Sequence, residues 1–153
     1  MKILIDTREQ CPLHFPASIQ TEKATLPVGD YGLSGFSDWG NPAFIVERKS
    51  LNDLIGSLTA GRERFMKECE KLRQFRFAAI VIEATQGDIE AGEYQSQTKP
   101  QSILQSLAAI QVRCNIHVIY AGTSDRAADI VTRLARQHLR GIQKDAKRLE
   151  THG

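Results

Sequence analysis

Residues 43–54 read Ala-Phe-Ile-Val-Glu-Arg-Lys-Ser-Leu-Asn-Asp-Leu, and the pair Glu47-x-Lys49 closes the apolar run. If residues 44–49 form a strand, successive side chains alternate between its faces, so Glu47 and Lys49 emerge together and Arg48 points the other way. A second acid, Asp30, follows Gly29. The glycine allows the tight backbone turn that would bring this carboxylate up to Glu47. Two carboxylates are hard oxygen ligands for Mg2+ or Mn2+, with backbone carbonyls completing the shell. An ion held there would polarise a phosphodiester and acidify the attacking water. The Lys49 ammonium, a compact mobile charge, could orient the nucleophile or offset charge growing on the phosphoryl oxygens. These three residues therefore suit metal-assisted hydrolysis of a phosphodiester. Taken alone, Glu-x-Lys has a plainer reading as a solubilising ion pair on an exposed strand edge.

The wider pattern favours the first reading. Gly29-Asp30, Glu47-Arg48-Lys49 and Asp53 occur in order, followed by Ser57-Leu58, Gly61 and an arginine-rich stretch. Ile5-Asp6-Thr7-Arg8-Glu9 closes the N-terminal apolar run. Together these resemble the signature of the XPF-type (ERCC4 domain) structure-specific DNA nucleases: a Gly-Asp, then Glu-Arg-Lys and Asp, behind an opening strand that ends in Asp-x-Arg-Glu. The likeness runs from about residue 2 to about residue 138, well beyond a single short motif. It implies an α/β domain with a restriction-endonuclease-like core, a mixed central sheet flanked by helices. It also implies a Mg2+-dependent (or Mn2+-dependent) endodeoxyribonuclease. Its substrate would be branched DNA, such as a 3' flap or fork, cut near the duplex to single-strand junction. By the same resemblance Asp6 joins Asp30 and Glu47 in holding the ion, with the Arg48 carbonyl as a main-chain ligand. Arg8, Glu9 and Asp53 would support the site.

Length and composition are consistent with this. A chain of 153 residues, 41% hydrophobic and 25% charged, predicts one domain with a real core. The nuclease domain is expected over 1–141 and a charged tail over 142–153. No apolar run approaches the roughly 18 residues of a membrane span, and no basic-then-apolar leader is visible, so a cytoplasmic protein without a membrane partner is expected. The segment after Gly141 is too short for the tandem helix-hairpin-helix module of larger relatives. That leaves open a stand-alone bacterial or viral-type protein, a homodimer paired through the nuclease domain alone, or a piece of something longer. Cys11, Cys69 and Cys114 are unpaired in number and the four histidines are scattered, which suggests neither a disulfide framework nor a zinc site.

Net charge is only +2, but its distribution is uneven. Residues 61–76 carry six bases against three acids, and residues 126–148 carry seven against two. Such clusters can neutralise phosphates, or can be the wet faces of helices. Arg62, Arg64, Arg133 and Arg136 are the DNA-contact candidates, with Arg64-Phe65 fitting the family's arginine-aromatic pair better than Arg62.

The elements that must place these residues alternate along the chain. Strands are expected at 2–6 and 20–26, and an antiparallel hairpin of 31–33 with 43–47 would bring Asp30 to Glu47. Its connection, 34–42, has loop composition. Ser50 should cap a helix with Asp53 three residues on and Leu51, Leu54, Ile55 and Leu58 inward, ending before Gly61. A second helix would bury Phe65, Cys69 and Leu72. Phe77 to Glu83 reads as a central strand buried on both faces. The polar stretch 85–99 reads as a long loop, Pro100 opens a helix burying Ile103, Leu107 and Ile110, and 116–120 is a further strand. A last helix from Thr123 or Ser124 would bury Ala127, Ile130, Val131 and Leu134 and end at Gly141.

Each site residue has a plainer alternative. Asp6 could simply cap its turn, Glu9 could be a solvated carboxylate, and Arg8 could position the pocket or touch a phosphate. Arg48 is better suited to a structural ion pair than to chemistry. Asp53 could serve only the helix cap. Glu68 and Lys71 face the site or form an ordinary i, i+3 surface pair, the reading we favour. Glu83 is a candidate support of the metal, and Phe36 and Trp39 either stack on a base or fold back onto the domain. Two rival functions share the fold: a catalytically silent DNA-binding scaffold, and a restriction or repair endonuclease that cuts unbranched duplex.

Overall fold

A computed structural model describes residues 1–152. The strands are β1 (Lys2–Asp6), β2 (Gln20–Ala24), β3 (Tyr31–Leu33), β4 (Ser37–Asp38), β5 (Asn41–Pro42), β6 (Phe44–Lys49), β7 (Phe77–Ile82) and β8 (His117–Tyr120). The helices are α1 (Leu51–Leu58), α2 (Arg62–Leu72), α3 (Gln86–Glu90), α4 (Pro100–Cys114) and α5 (Ser124–His152). Six strands form one sheet in the order β2-β1-β3-β6-β7-β8. β3 runs antiparallel to both β1 and β6, whereas β1–β2, β6–β7 and β7–β8 are parallel. The sheet is mixed, as expected.

Period-two alternation on β6 sorts the core into two layers. Ile45 joins Leu54, Phe65, Ile80, Ile103 and Leu107, so α1, α2 and α4 cover one face. Phe44 and Val46 join Ile3, Ile5, Tyr31, Val81, Val131 and Ala135, so α5 and the segment after β1 cover the other. β7 has neighbours on both sides and helices on both faces, which is why its six residues are almost uniformly apolar. Among the described residues, no helix is long and apolar enough to cross a membrane.

Three expectations change. The stretch 85–99 is not all loop: Thr85 and Asp88 form a reciprocal capping box, with the Thr85 hydroxyl accepting from Asp88 N at 3.0 Å and the Asp88 carboxylate from Thr85 N at 2.8 Å. Those two bonds satisfy two of the donors left open at the start of the short α3. α5 runs through Gly141 to His152, because an exposed mid-helix glycine costs only about 1 kcal/mol against its helix-forming neighbours. The charged segment 142–152 thus continues α5. The 34–42 connection carries the small β4–β5 pair, with Phe36 against His138 at 5.3 Å and Trp39 against Phe75 at 5.4 Å between ring centres. Both aromatics fold back onto the domain, although Trp39 stays 50% exposed.

Candidate active site

Gly29 makes the first placement. Its φ of +77° belongs to the left-handed region, and a Cβ there would lie 2.7 Å from Ile45 Cγ1, so only glycine fits. The turn sets Asp30 N on the Val46 carbonyl at 2.9 Å and lets the Asp30 carbonyl accept from Asp6 N at 2.9 Å. Pairing of β3 with β6 stops at Tyr31–Val46, while β6 continues beside β7 alone through Lys49. The Arg48 N–H would therefore lie at an open edge. Asp30 Oδ2 accepts it at 2.7 Å, so a side chain replaces the missing strand partner.

Glu47 is 7% exposed, and its carboxyl neighbours that of Asp30. Burial first, and then the Asp30 charge, push Glu47 well above the usual carboxylate range, with Lys49 pulling the other way. Burial also raises Asp30. The charge on each acid makes ionisation of the other harder, and Lys49 opposes this. The Lys49 ammonium lies 3.8 Å from Glu47 Oε1 and 4.9 Å from the centre of the Phe65 ring, whose face attracts a cation.

Lys49, Asn52, Asp53, Arg64, Phe65 and Glu68 line a cleft of about 380 Å3 beside this pair. A second cleft of about 370 Å3, lined by Arg8, Glu9, Arg48 and Ser50, shares Asp53 with the first. Among the described residues no three His, Cys, Asp or Glu side chains converge as a ligand cage. One buried and one half-buried carboxyl with an adjacent main chain fit a hydrated Mg2+ or Mn2+, which takes few protein oxygens and keeps several waters.

The remaining candidates divide. Asp6 is 2% exposed and its oxygens are committed: Oδ1 accepts from Leu26 N at 2.9 Å and Arg8 Nη2 at 3.0 Å, Oδ2 from Arg8 Nε at 2.7 Å and Arg8 N at 3.1 Å. Burial raises its pKa, but the Arg8 and Leu26 hydrogen bonds outweigh this and leave it below the usual value. That geometry makes Asp6 a buttress for Arg8 and for the main chain at Leu26. Arg8, held by Asp6 and the Leu26 carbonyl, feels the fields of Asp30 and Glu47 at the mouth of the site.

Glu9 is not a free solvated carboxylate but is bound behind Arg48. Its Oε2 accepts from Tyr31 Oη at 2.6 Å and Arg48 Nη1 at 3.1 Å, on the opposite side of the sheet from Glu47. Glu83 also turns to Arg48, accepting from its Nε. Ser50 caps α1 by accepting from Asp53 N at 3.2 Å, and the exposed Asp53 carboxylate faces both clefts.

Arg64 lines the cleft, but Arg62 Nη1 bonds the Leu58 carbonyl and Ser106 Oγ at 3.3 and 3.0 Å, tying α2 to α4. Arg133 pairs with Asp129 at 3.2 Å, and Arg136 lines a groove between α5 and the segment after β1. Both lie on the sheet face away from Lys49. The ion pairs of α2 are Glu63–Lys67 and Glu70–Arg73, leaving Glu68 turned to the cleft, where it pushes Glu47 further up. The favoured Glu68–Lys71 surface pair is replaced by a site position. Tyr31 was not singled out from sequence, although it directly follows Asp30.

A family model of the ERCC4 domain matches residues 5–134. The DNA repair endonuclease XPF of Cricetulus griseus is 33% identical over 122 residues, covering 76% of this chain and 12% of that protein. The DNA repair protein RAD1 of Saccharomyces cerevisiae is 33% identical over 90 residues, covering 56% of this chain and 7% of that protein. The chain thus spans only a small part of these curated relatives' length. The solved XPF from Aeropyrum pernix superposes with a TM-score of 0.71 at 24% identity, covering 90% of this chain and 61% of that one. The same protein in complex with DNA gives 0.72 at 23% identity, covering 92% and 66%. The shared fold is the restriction-endonuclease-like α/β core. Motif order, family model and fold agree, and the chain belongs to the ERCC4 domain family of XPF-type nuclease domains.

Proposed function

We propose that this domain is a divalent-cation-dependent endodeoxyribonuclease that hydrolyses a phosphodiester of branched DNA near a duplex to single-strand junction. The observation that carries the reading is the pairing of half-buried Asp30 with buried Glu47 at the open end of β6, with the Lys49 ammonium beside it and a cleft in front. Asp30, Glu47 and the Arg48 carbonyl would hold Mg2+ or Mn2+. When bound, such an ion supplies Lewis acidity toward the phosphate and lowers the pKa of its water.

The chain's own groups supply the rest. Protons compete with a cation for the carboxyl pair, so affinity rises with pH. Lys49 places a positive charge where phosphoryl oxygens become more negative. Arg64 in the cleft and Arg8 at its mouth can bind the flanking phosphates, and Asp53 stands between the two clefts. The Aeropyrum neighbour's complex with DNA supports DNA as the substrate class. Branch preference rests on the family likeness to XPF and RAD1.

The test is a panel of plain duplex, 3' flap and fork in Mg2+ and Mn2+ at fixed ionic strength, with Asp30→Ala alongside. Cleavage near the junction of the branched substrates, lost in Asp30→Ala, is expected. DNA binding without cutting by either protein would support the scaffold reading instead. Cutting of plain duplex at a defined site would support a restriction-type enzyme.

A further inference from the structure

We propose that Glu9, Glu83 and Tyr31, on the sheet face opposite the acid pair, are positioning residues that set the cation ligands through Arg48. The proposal rests on the reading of Asp30 and Glu47 as a cation site. Arg48 is the one residue of that strand end that faces both ways. Its N–H holds Asp30 Oδ2 at 2.7 Å, whereas its side chain crosses to the other face. There the guanidinium donates to Glu83, to Glu9 Oε2 at 3.1 Å and to the Cys11 carbonyl. Tyr31 Oη donates to Glu9 at 2.6 Å and accepts from Leu13 N at 2.7 Å, fixing the carboxylate that receives Arg48.

The mechanical consequence follows from the strand ladder. Past Val46, β6 has lost its β3 partner and is held on one side only. On that open side the Arg48 N–H is held by the Asp30 carboxylate alone, so the anchoring of the Arg48 side chain adds a second constraint on the same residue. Glu83 at the end of β7 and Glu9 after β1 anchor it from two separate segments, with both carboxylates and the guanidinium mostly buried. Loosening either anchor turns the plane that orients Asp30 and the carbonyl beside it. No proton or electron is transferred by this network. It acts on ligand geometry, where supporting partners typically matter about 10- to 100-fold in metal affinity.

The experiment is Mn2+ titration of DNA-free protein by calorimetry, with thermal midpoints measured in chelator to report folding. Wild type, Glu83→Gln, Glu9→Gln and Tyr31→Phe are compared. The expected result is an Mn2+ Kd raised about tenfold or more in Glu83→Gln and Glu9→Gln, with a smaller rise in Tyr31→Phe. DNA affinity in chelator should be unchanged, which a general structural defect would not leave intact. A Kd within twofold of wild type in the folded Gln variants overturns the proposal. If those variants fail to fold, Tyr31→Phe, which removes a single hydroxyl, decides on the same criterion. If wild type itself binds no Mn2+, the acid pair is not a cation site and the parent reading fails, an outcome distinct from wild-type binding with unaltered variants.

Discussion

Lys49→Met separates charge from packing, because methionine keeps an apolar stem against Phe65 and removes only the ammonium. The Lys49 side chain is 15% exposed and its ammonium lies 3.8 Å from Glu47 Oε1. At an effective dielectric of about 20, a unit charge at that range interacts by about 4 kcal/mol. Charge developing on the phosphoryl group is a fraction of a unit, and loss of one preorganised electrostatic group typically costs about 10^2- to 10^3-fold in kcat. We expect a fall of that size in single-turnover cleavage of a labelled flap. DNA affinity, read by anisotropy at the same salt, should stay within a few-fold. A second effect has a definite sign: Lys49 pulls the Glu47 pKa down, so its removal lets protons compete better for the site and moves the cleavage optimum to higher pH. A fall in cleavage below about fivefold, or one matched by lost DNA affinity, would refute the placing of Lys49 at the reacting phosphate.

Asp6→Asn removes a buried charge that accepts four hydrogen bonds and should cost about 3 kcal/mol, a drop in Tm of roughly 6–12 °C. Because the folded Asp6 pKa is depressed, wild type should lose this advantage only as pH falls below the ordinary aspartate value and through the folded one, and a flat acid limb in wild-type melts would contradict it. Asp30 and Glu47 have the opposite sign. Their raised values give stability that is present below the ordinary carboxylate range and lost as pH rises through the folded values. Melts in chelator should therefore weaken as pH rises above the ordinary carboxylate range, and Mg2+ should abolish that slope. Arg64→Ala should reduce DNA affinity and lower the salt slope by about one phosphate. Arg62→Ala should instead lower Tm with DNA binding kept, since its guanidinium bridges Leu58 and Ser106; reversed effects would exchange their roles.

Much of the site was legible because its information is local. Alternation on 44–49 puts Glu47 and Lys49 on one face, the hairpin brings Asp30 to Glu47, and Ser50 and Pro100 start their helices where expected. Where neighbours along the chain compete with distant partners, the reading was incomplete. Asp6 and Glu9 sit in one short motif, yet Asp6 turns to Arg8 two residues away while Glu9 crosses to Arg48, 39 positions on. The strand ends at Asp6, so period-two alternation no longer tells which way Glu9 points.

The order of residues by itself determined the family, the mixed sheet between helices, and the three side chains that converge at the end of β6. Periodicity, caps and turn glycines are short-range properties, and they act wherever the chain is written. Only the tertiary structure decided that the Asp6 oxygens are taken up by Arg8 and Leu26, that Glu68 joins the cleft, and that Tyr31, Glu9 and Glu83 gather behind Arg48. Those outcomes depend on burial and on hydrogen bonds between segments far apart in the chain, where a buried polar group must take whichever partner the packing brings within reach.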